Sequence, residues 1–322
     1  MKIYYFILRV LRKIYYVFFL NEKKLFEDTP DVISDADIAS EKIYDLLVSD
    51  KPCMITRFGA NEASILSNYI AINGRYRSAW NFIRSKSPAW WWDKNTIRDL
   101  HVESGFFPTK KSLLEEYCKL ALLDIPQIDI LGAWQNNTSY FDDKFSNHIK
   151  VKLNLLEPYF SNAPWSRALE GKKVLVIHPF QKSIEQQYEK RKLLFKNNLL
   201  PNFELKTIKA VQTLAHEKSE FKTWFEALDS MKQQMDKIDY DIALIGCGAY
   251  GFNLAAHAKR MGKKSFHLGG ALQVLFGILG KRYENPKHRD GFYLKLFNEH
   301  WTRPTNEEKP QNSKLVENDC YW

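Results

Sequence analysis

The chain has 322 residues, 45% of them hydrophobic and 14% aromatic, and a formal net charge of +9. That size and apolar share support a sizeable core in one large domain or two small ones, and exclude a largely disordered chain. The positive balance points to an anionic partner, a phosphate-bearing ligand or an acidic lipid surface; no zinc-finger spacing or aromatic RNA-binding motif appears, which argues against nucleic acid.

Residues 1–24 stand apart. MKIYYFILRVLRKIYYVFFL (1–20) is apolar and aromatic but carries Lys2, Arg9, Arg12 and Lys13. Charges at these positions are costly in a membrane span, and they break the apolar run that a cleaved signal peptide needs. On a helical wheel the four cations share one side, and Ile3, Phe6, Ile7, Val10, Ile14, Val17 and Phe18 fill the other. The pattern predicts a basic, aromatic amphipathic helix lying on an anionic membrane surface, its cations snorkelling to the headgroups. The expected location is cytoplasmic, peripheral to the inner face of the plasma membrane. A helix packed on the domain itself or on a partner subunit is the alternative.

Residues 30–283 read as a single α/β domain. A helix is expected over 34–49, capped by Ser34, then a short buried strand CMITRF (53–58) and a helix over 60–71. The aromatic stretch 74–95, with three tryptophans at 90–92, reads as irregular. A helix capped by Thr109 covers 109–123, IDILG (128–132) is a strand, and 150–160 is helix-like. The second half is more regular. Strands KKVLVIHPF (172–180), FELKTIKA (203–210), DIALIGCG (241–248) and KSFHLGG (264–270) alternate with helices over 181–196, 217–236 and 251–262, and a helix-like run at 271–279 follows. Continuous apolar strands alternating with helices predict a mostly parallel, Rossmann-like sheet covered on both faces. Residues 284–322 are polar and read as a loosely attached tail. The four cysteines, Cys53, Cys118, Cys247 and Cys320, fit no zinc spacing and read as free buried thiols.

Ligands of open α/β sheets bind beyond the carboxyl ends of the strands, and three segments fall there. Gly246-Cys247-Gly248-Ala249-Tyr250-Gly251 matches GxGxxG, a tight turn that offers helix N-terminal N–H groups to a phosphate. The following strand brings His267 rather than the carboxylate that would hold a dinucleotide ribose. His178, Gln181 and Lys182 lie at a strand end and helix start, placed for a diphosphate. In the third, Arg57 suits a phosphate or carboxylate, Gly59 allows a sharp turn, and Glu62 falls in the first turn of a helix. Glu62 is placed to bind a metal, to accept a proton from a sugar hydroxyl, or to pair with Arg57.

Arg57-Phe58-Gly59-Ala60-Asn61-Glu62 resembles the Arg-Phe-Gly-Asp-Gly-Glu motif of bacterial glycosyltransferases with the GT-D fold. DIALIGCGAYGFNLAAHAKRMGKKSFHLGG (241–270) is similar to that family's carboxy-terminal strand, glycine turn, helix and strand, and SGFFP (104–108) sits where a related turn is expected. The resemblance implies sugar transfer from a nucleotide-sugar donor, a nucleoside diphosphate sugar, to a cell-surface glycan: a polysaccharide or lipid-linked oligosaccharide. Such a transfer needs a group to steady the leaving charge and a base for the acceptor hydroxyl, which makes Arg57, Glu62 and His178 the catalytic candidates. The donor falls to Gly59, Asn61, Gln181, Lys182, Gly246, Gly248, Gly251 and His267. Trp134, Asn136 and Asn137 are placed for the acceptor. The family's Asp-x-Glu pair is associated with a divalent metal, Mn or Mg. Here Ala60 replaces the Asp, leaving Glu62 as the one carboxylate of that pair. Two other readings stand beside it: a non-catalytic member of a polysaccharide-assembly complex, favoured by Ala60, and a nucleotide-cofactor methyltransferase or oxidoreductase built on the GxGxxG turn.

Overall fold

A computed structural model describes residues 2–19, 29–74, 77–146 and 148–322. Eight strands form one sheet: β1 (Val32–Ile33), β2 (Cys53–Arg57), β3 (Ile130–Ala133), β4 (Ile149–Lys152), β5 (Lys173–His178), β6 (Glu204–Lys209), β7 (Ile242–Ile245) and β8 (Lys264–His267). Their order is β1-β4-β3-β2-β8-β7-β5-β6, and every pairing is parallel. The fold is therefore α/β and Rossmann-like, as the alternation of apolar strands with helices predicts. The two halves of the chain meet where β2 lies beside β8.

Strand alternation divides the core. Val174 and Val176 enter one apolar cluster, with Ile55, Ile130 and Phe266; Leu175 and Ile177 enter the other, with Met54, Leu131 and Ile245. Both faces are thus dry, which is why these strands read as unbroken apolar runs. The helices among the described residues are α1 (Lys2–Phe19), α2 (Ala36–Val48), α3 (Ala60–Asn73), α4 (Ala79–Ile83), α5 (Lys94–Val102), α6 (Lys111–Asp124), α7 (Gln181–Glu189), α8 (Arg191–Leu194), α9 (Trp224–Asp236), α10 (Gly251–Arg260), α11 (Leu272–Leu275) and α12 (Lys281–Glu284). α3, α6, α9 and α10 cover the second face, and α2 and α7 the first.

Several local expectations change. Asp35, not Ser34, caps α2, its carboxylate accepting from the Ile38 N–H at 2.9 Å. Lys110 occupies the cap of α6 and makes no side-chain cap bond, so Thr109 does not serve there. Residues 150–160, expected to be helix-like, open with the end of β4, where Val151 pairs with Gly132, and continue as short 3-10 helices at Leu153–Leu156 and Pro158–Phe160. The stretch 74–95 contains α4, and the helix expected from 217 starts at Trp224.

The largest correction concerns 284–322. This segment is no loose tail. Tyr293, Trp301, Val316, Cys320 and Trp322 are buried in the first cluster, and the Trp322 indole donates to the Glu308 carbonyl at 3.2 Å. Asp319 is buried as well, bonded to Lys281 at 2.8 Å and to Ser313, and these bonds hold its carboxyl down at about 2. All four cysteines are free and buried.

The amphipathic helix is present as α1, and no described helix is long and apolar enough to cross a membrane. Its orientation differs from the expectation. Arg9 pairs with Asp93, and Arg12 lies over the Phe82 ring at 4.7 Å, so these cations face the protein. Tyr5 stacks on Trp91 at 4.1 Å, and Leu8 joins Phe82 and Ala89 in a small apolar cluster. The opposite face, including Ile3, Phe6, Val10, Ile14, Val17 and Phe18, is exposed. Residues 1 and 20–24 of the expected anchor lie outside the described residues.

Candidate functional site

A cavity of about 460 Å³ opens over the carboxyl ends of β2, β5, β7 and β8. Arg57 reaches it as the last residue of β2, His178 as the last of β5 and His267 as the last of β8. Gly59, Asn61, Glu62, Trp134, Gly246 and Gly248 also line it. Residues from both halves of the chain therefore converge at the seam where the halves meet.

Arg57 is held by two bonds to the Phe58 carbonyl, at 3.2 and 3.0 Å, and lies 4.8 Å over the Trp134 ring, whose N–H also donates to Phe58. Burial lowers its pKa, with Tyr321 and Glu62 pulling the other way. Arginine nevertheless stays charged at working pH. Among the described residues no carboxylate forms an ion pair with Arg57, so the Arg57–Glu62 pairing considered from sequence is not made. A pre-oriented, partly buried guanidinium without a carboxylate partner is a site for an anion.

Gly59 acts differently from the expectation of a sharp turn. Its φ of −69° and ψ of 158° are open to any residue. What needs glycine is room: a Cβ there would overlap the Glu62 carboxylate, which folds back over the backbone from the first turn of α3. Asn61 donates to Glu103 at 3.0 Å and Ser104 at 3.3 Å, joining the starts of α3 and the loop after α5.

The two histidines are neutral. Burial lowers both to about 3, and the nearby Arg57 charge adds to the effect at His267. His178 Nδ1 accepts from the Phe180 N–H at 3.0 Å, which leaves the ring proton on Nε2. His178 is thus a hydrogen-bond donor toward the cavity rather than the base considered from sequence.

The glycine turn also differs from a phosphate cradle. The Ala249 N–H donates to the Ser104 carbonyl at 3.0 Å, Tyr250 to Cys247 at 3.3 Å, and Gly251 to Gly248. A Cβ at Gly246 would meet the Gly269 carbonyl at 2.6 Å, one at Gly248 the Ser104 carbonyl at 2.8 Å, and one at Gly251 the His267 ring. These glycines let the chain's own atoms approach closely. Gly246 and Gly248 remain in the cavity wall, but Gly251 lies beneath it.

Other predicted residues fall elsewhere. Lys182 is exposed and pairs with Glu307; Gln181 donates to Thr207 at 2.8 Å; neither lines the cavity. Starting α7 at Gln181 points both side chains away from the strand ends. Asn136 and Asn137 line a second cavity, with Asn137 donating to Ser64 at 3.0 Å. Trp90 and Trp91 pack with Phe82, near α1.

The sequence reading missed Arg282, Arg289, Gln273 and Glu103, all in the cavity wall. Arg282 stacks on Tyr321 at 4.8 Å and pairs with Glu317 at 2.5 Å. Arg289 is presented by a turn in which Arg289, Asp290 and Gly291 all have positive φ (48°, 53° and 69°). Gln273 is fully buried; its amide nitrogen donates to three carbonyls, while its oxygen has no partner. For Arg289 the available signal was the aromatic content of 284–322, which matches that of the folded chain rather than a solvated tail; Arg282, Gln273 and Glu103 carry no such signal.

Below the arginines a small side chamber holds Glu157. Burial pushes its carboxyl up to about 7, and both its oxygens accept from the Tyr293 hydroxyl at 2.8 Å.

The residues do not fit a resident divalent cation. Hard cations take six or more oxygen ligands. Near position 60 the cavity offers Glu62 and Glu103, and Glu103 already accepts from Asn61. Among the described residues no three His, Cys, Asp or Glu side chains form a metal cluster. The cavity instead gathers three guanidinium groups, suited to a multiply charged anion.

The chain matches no protein-family model, no curated protein and no solved structure.

Proposed function

We propose that the protein is a glycosyltransferase, moving a sugar from a nucleoside diphosphate sugar to a cell-surface glycan acceptor. The observation that carries the reading is the convergence of Arg57, Arg282 and Arg289 with Glu62 in one cavity at the seam of a parallel sheet. The cavity's volume lies in the range of small-molecule sites. Three arginines suit a diphosphate, and one carboxylate suits a sugar hydroxyl. The stretch Arg57–Glu62 adds its resemblance to the motif of the GT-D family.

In this reading the guanidinium groups of Arg57, Arg282 and Arg289 take the charge that develops on the departing diphosphate as the sugar C1–O bond breaks. Glu62 takes the proton of the acceptor hydroxyl as that oxygen bonds to C1. His178 donates through Nε2 to a donor oxygen. Trp134, fixed by its bond to Phe58, offers an apolar face to a ring. No step is assigned to a metal. The exposed apolar face of α1 supports peripheral attachment to the inner face of the plasma membrane, where a lipid-linked acceptor would lie.

Ala60 favours a second reading, a non-catalytic member of a polysaccharide-assembly complex. The cofactor-enzyme alternative has less support, because the N–H groups of Gly246, Ala249, Tyr250 and Gly251 in the glycine turn are already bonded. Release of nucleoside diphosphate from a panel of nucleotide sugars separates the first two. The transferase reading expects turnover of one donor, slowed about a hundredfold or more by Glu62→Gln. Binding of that donor without turnover would favour the non-catalytic reading.

A further inference from the structure

The second cavity has no part in the reaction proposed above. It measures about 680 Å³ and lies between α1, α4, α3 and the loop after β3. α3 separates it from the main cavity: Asn61 and Glu62 line the first, Ser64, Ser67 and Asn68 the second.

Its charge is lopsided. Among the described residues four cations line it, Arg9, Arg12, Lys13 and Arg84, against a single carboxylate, Asp93, which Arg9 occupies. Arg12 is held in place over Phe82, its Nε donating to Ser85 at 3.2 Å, and Arg84 lies 5.7 Å over Trp80. Among the described residues Arg12, Lys13 and Arg84 form no ion pair with a carboxylate. Gathering like charges around a cleft is unfavourable unless an anion is drawn in. Burial already disfavours the Arg12 charge there.

One wall of this cavity is α1, and the outer face of α1 is apolar and exposed: Ile3 is 76% accessible, Phe6 64% and Phe18 70%. A helix that anchored only by snorkelling would turn its cations outward beside that face. Here Arg9 and Arg12 turn inward, toward the cavity. A cationic pocket backed by an exposed apolar helix face matches one kind of molecule, an amphiphile with an anionic head.

We propose that the groove between α1 and the body of the protein binds the phosphate headgroup of a membrane lipid, with the acyl chains lying along the exposed face of α1. The inference rests on the membrane-surface part of the reading above and not on the transfer reaction. It changes what holds the protein to the membrane: a specific phosphate seat rather than diffuse attraction to a charged surface.

The test is flotation of the full chain with vesicles of phosphatidylcholine, alone or with a minor share of phosphatidic acid. Binding is expected to be at least about tenfold tighter with phosphatidic acid, and Lys13→Ala/Arg84→Ala is expected to remove about that factor. Lys192→Ala/Lys196→Ala, two exposed cations near the β6 edge of the sheet, serves as the charge-matched control and should change binding less than about twofold. Equal losses from the two double variants would mean diffuse attraction and overturn the site. Equal binding to both vesicles would also overturn it, while leaving membrane attachment through α1 intact. Absence of binding to either vesicle would overturn the site and the membrane reading together. Glycerol phosphate should compete only weakly, and Phe6→Ser/Val17→Ser should abolish flotation. Tight glycerol phosphate binding, with flotation unaffected by that variant, would assign the pocket to a free phosphate and overturn the lipid.

Discussion

Arg57 and Glu62 are separated by a glycine because the carboxylate needs the space a side chain would fill. On the transferase reading Gly59→Ala should therefore act through Glu62, its displacement lowering kcat about tenfold or more while donor affinity changes little; steady-state kinetics check the split. Arg57→Ala should do the reverse and weaken nucleotide binding about 10- to 100-fold, the usual worth of a charge-assisted hydrogen bond. Glu157 makes a pH prediction. Its folded pKa of about 7 lies above the ordinary glutamate value, so the folded state holds a proton that the unfolded state releases. The resulting stability is complete below the unfolded value and is lost as pH rises through about 7. Melting temperatures between about pH 5 and 8 should fall more steeply for the wild type than for Glu157→Gln. Arg57, Glu62 and Trp134 were legible in the sequence because strand ends and helix starts have local signatures. The neutrality of His178 was not, because it depends on burial and on the Phe180 N–H.

At the scale of elements, the inner strands β2, β3, β5, β7 and β8 were readable because both their faces are buried, which leaves an unbroken apolar signal; β1, only two residues long, and β4, with lysines at 150 and 152, were not. The segment 284–322 was not. Its apolar residues come in short clusters, such as Phe292-Tyr293-Leu294 and Tyr321-Trp322, separated by long polar stretches, and its helices are short 3-10 pieces, so no period announces a packed element. Yet its tryptophans are core residues. Trp301→Ala should destabilise the protein by about 3–5 kcal/mol, measured by denaturant unfolding; a loosely attached tail would give nearly zero. The glycine turn carries a similar lesson. The GxGxxG spacing marks close approach, and here what approaches is the chain itself: Gly269, Ser104 and His267. Replacing Gly248, with its φ of +57°, by alanine should lower stability without a selective loss of nucleotide affinity. Melting curves and binding isotherms on the same variant separate the two effects.

At the scale of the molecule, the two halves of the sheet meet at β2 and β8, and the carboxyl-end cavity is assembled there from residues far apart in sequence. Arg57 arrives from the first half; Arg282 and Arg289 arrive from a segment that wraps back over the strand ends. This long-range closure hid two of the three arginines of the proposed anion site from a reading in chain order. α1 and the second cavity sit on the other side of α3, so the proposed attachment and the proposed chemistry would use separate surfaces. The most direct test of the account is calorimetry with UDP, GDP, CMP, NAD and S-adenosylmethionine, each with and without manganese. One nucleoside diphosphate should bind without manganese, and Arg57→Ala and Arg282→Ala should each weaken it about 10- to 100-fold. Binding of NAD or S-adenosylmethionine in its place, or of no nucleotide at all, would contradict the account.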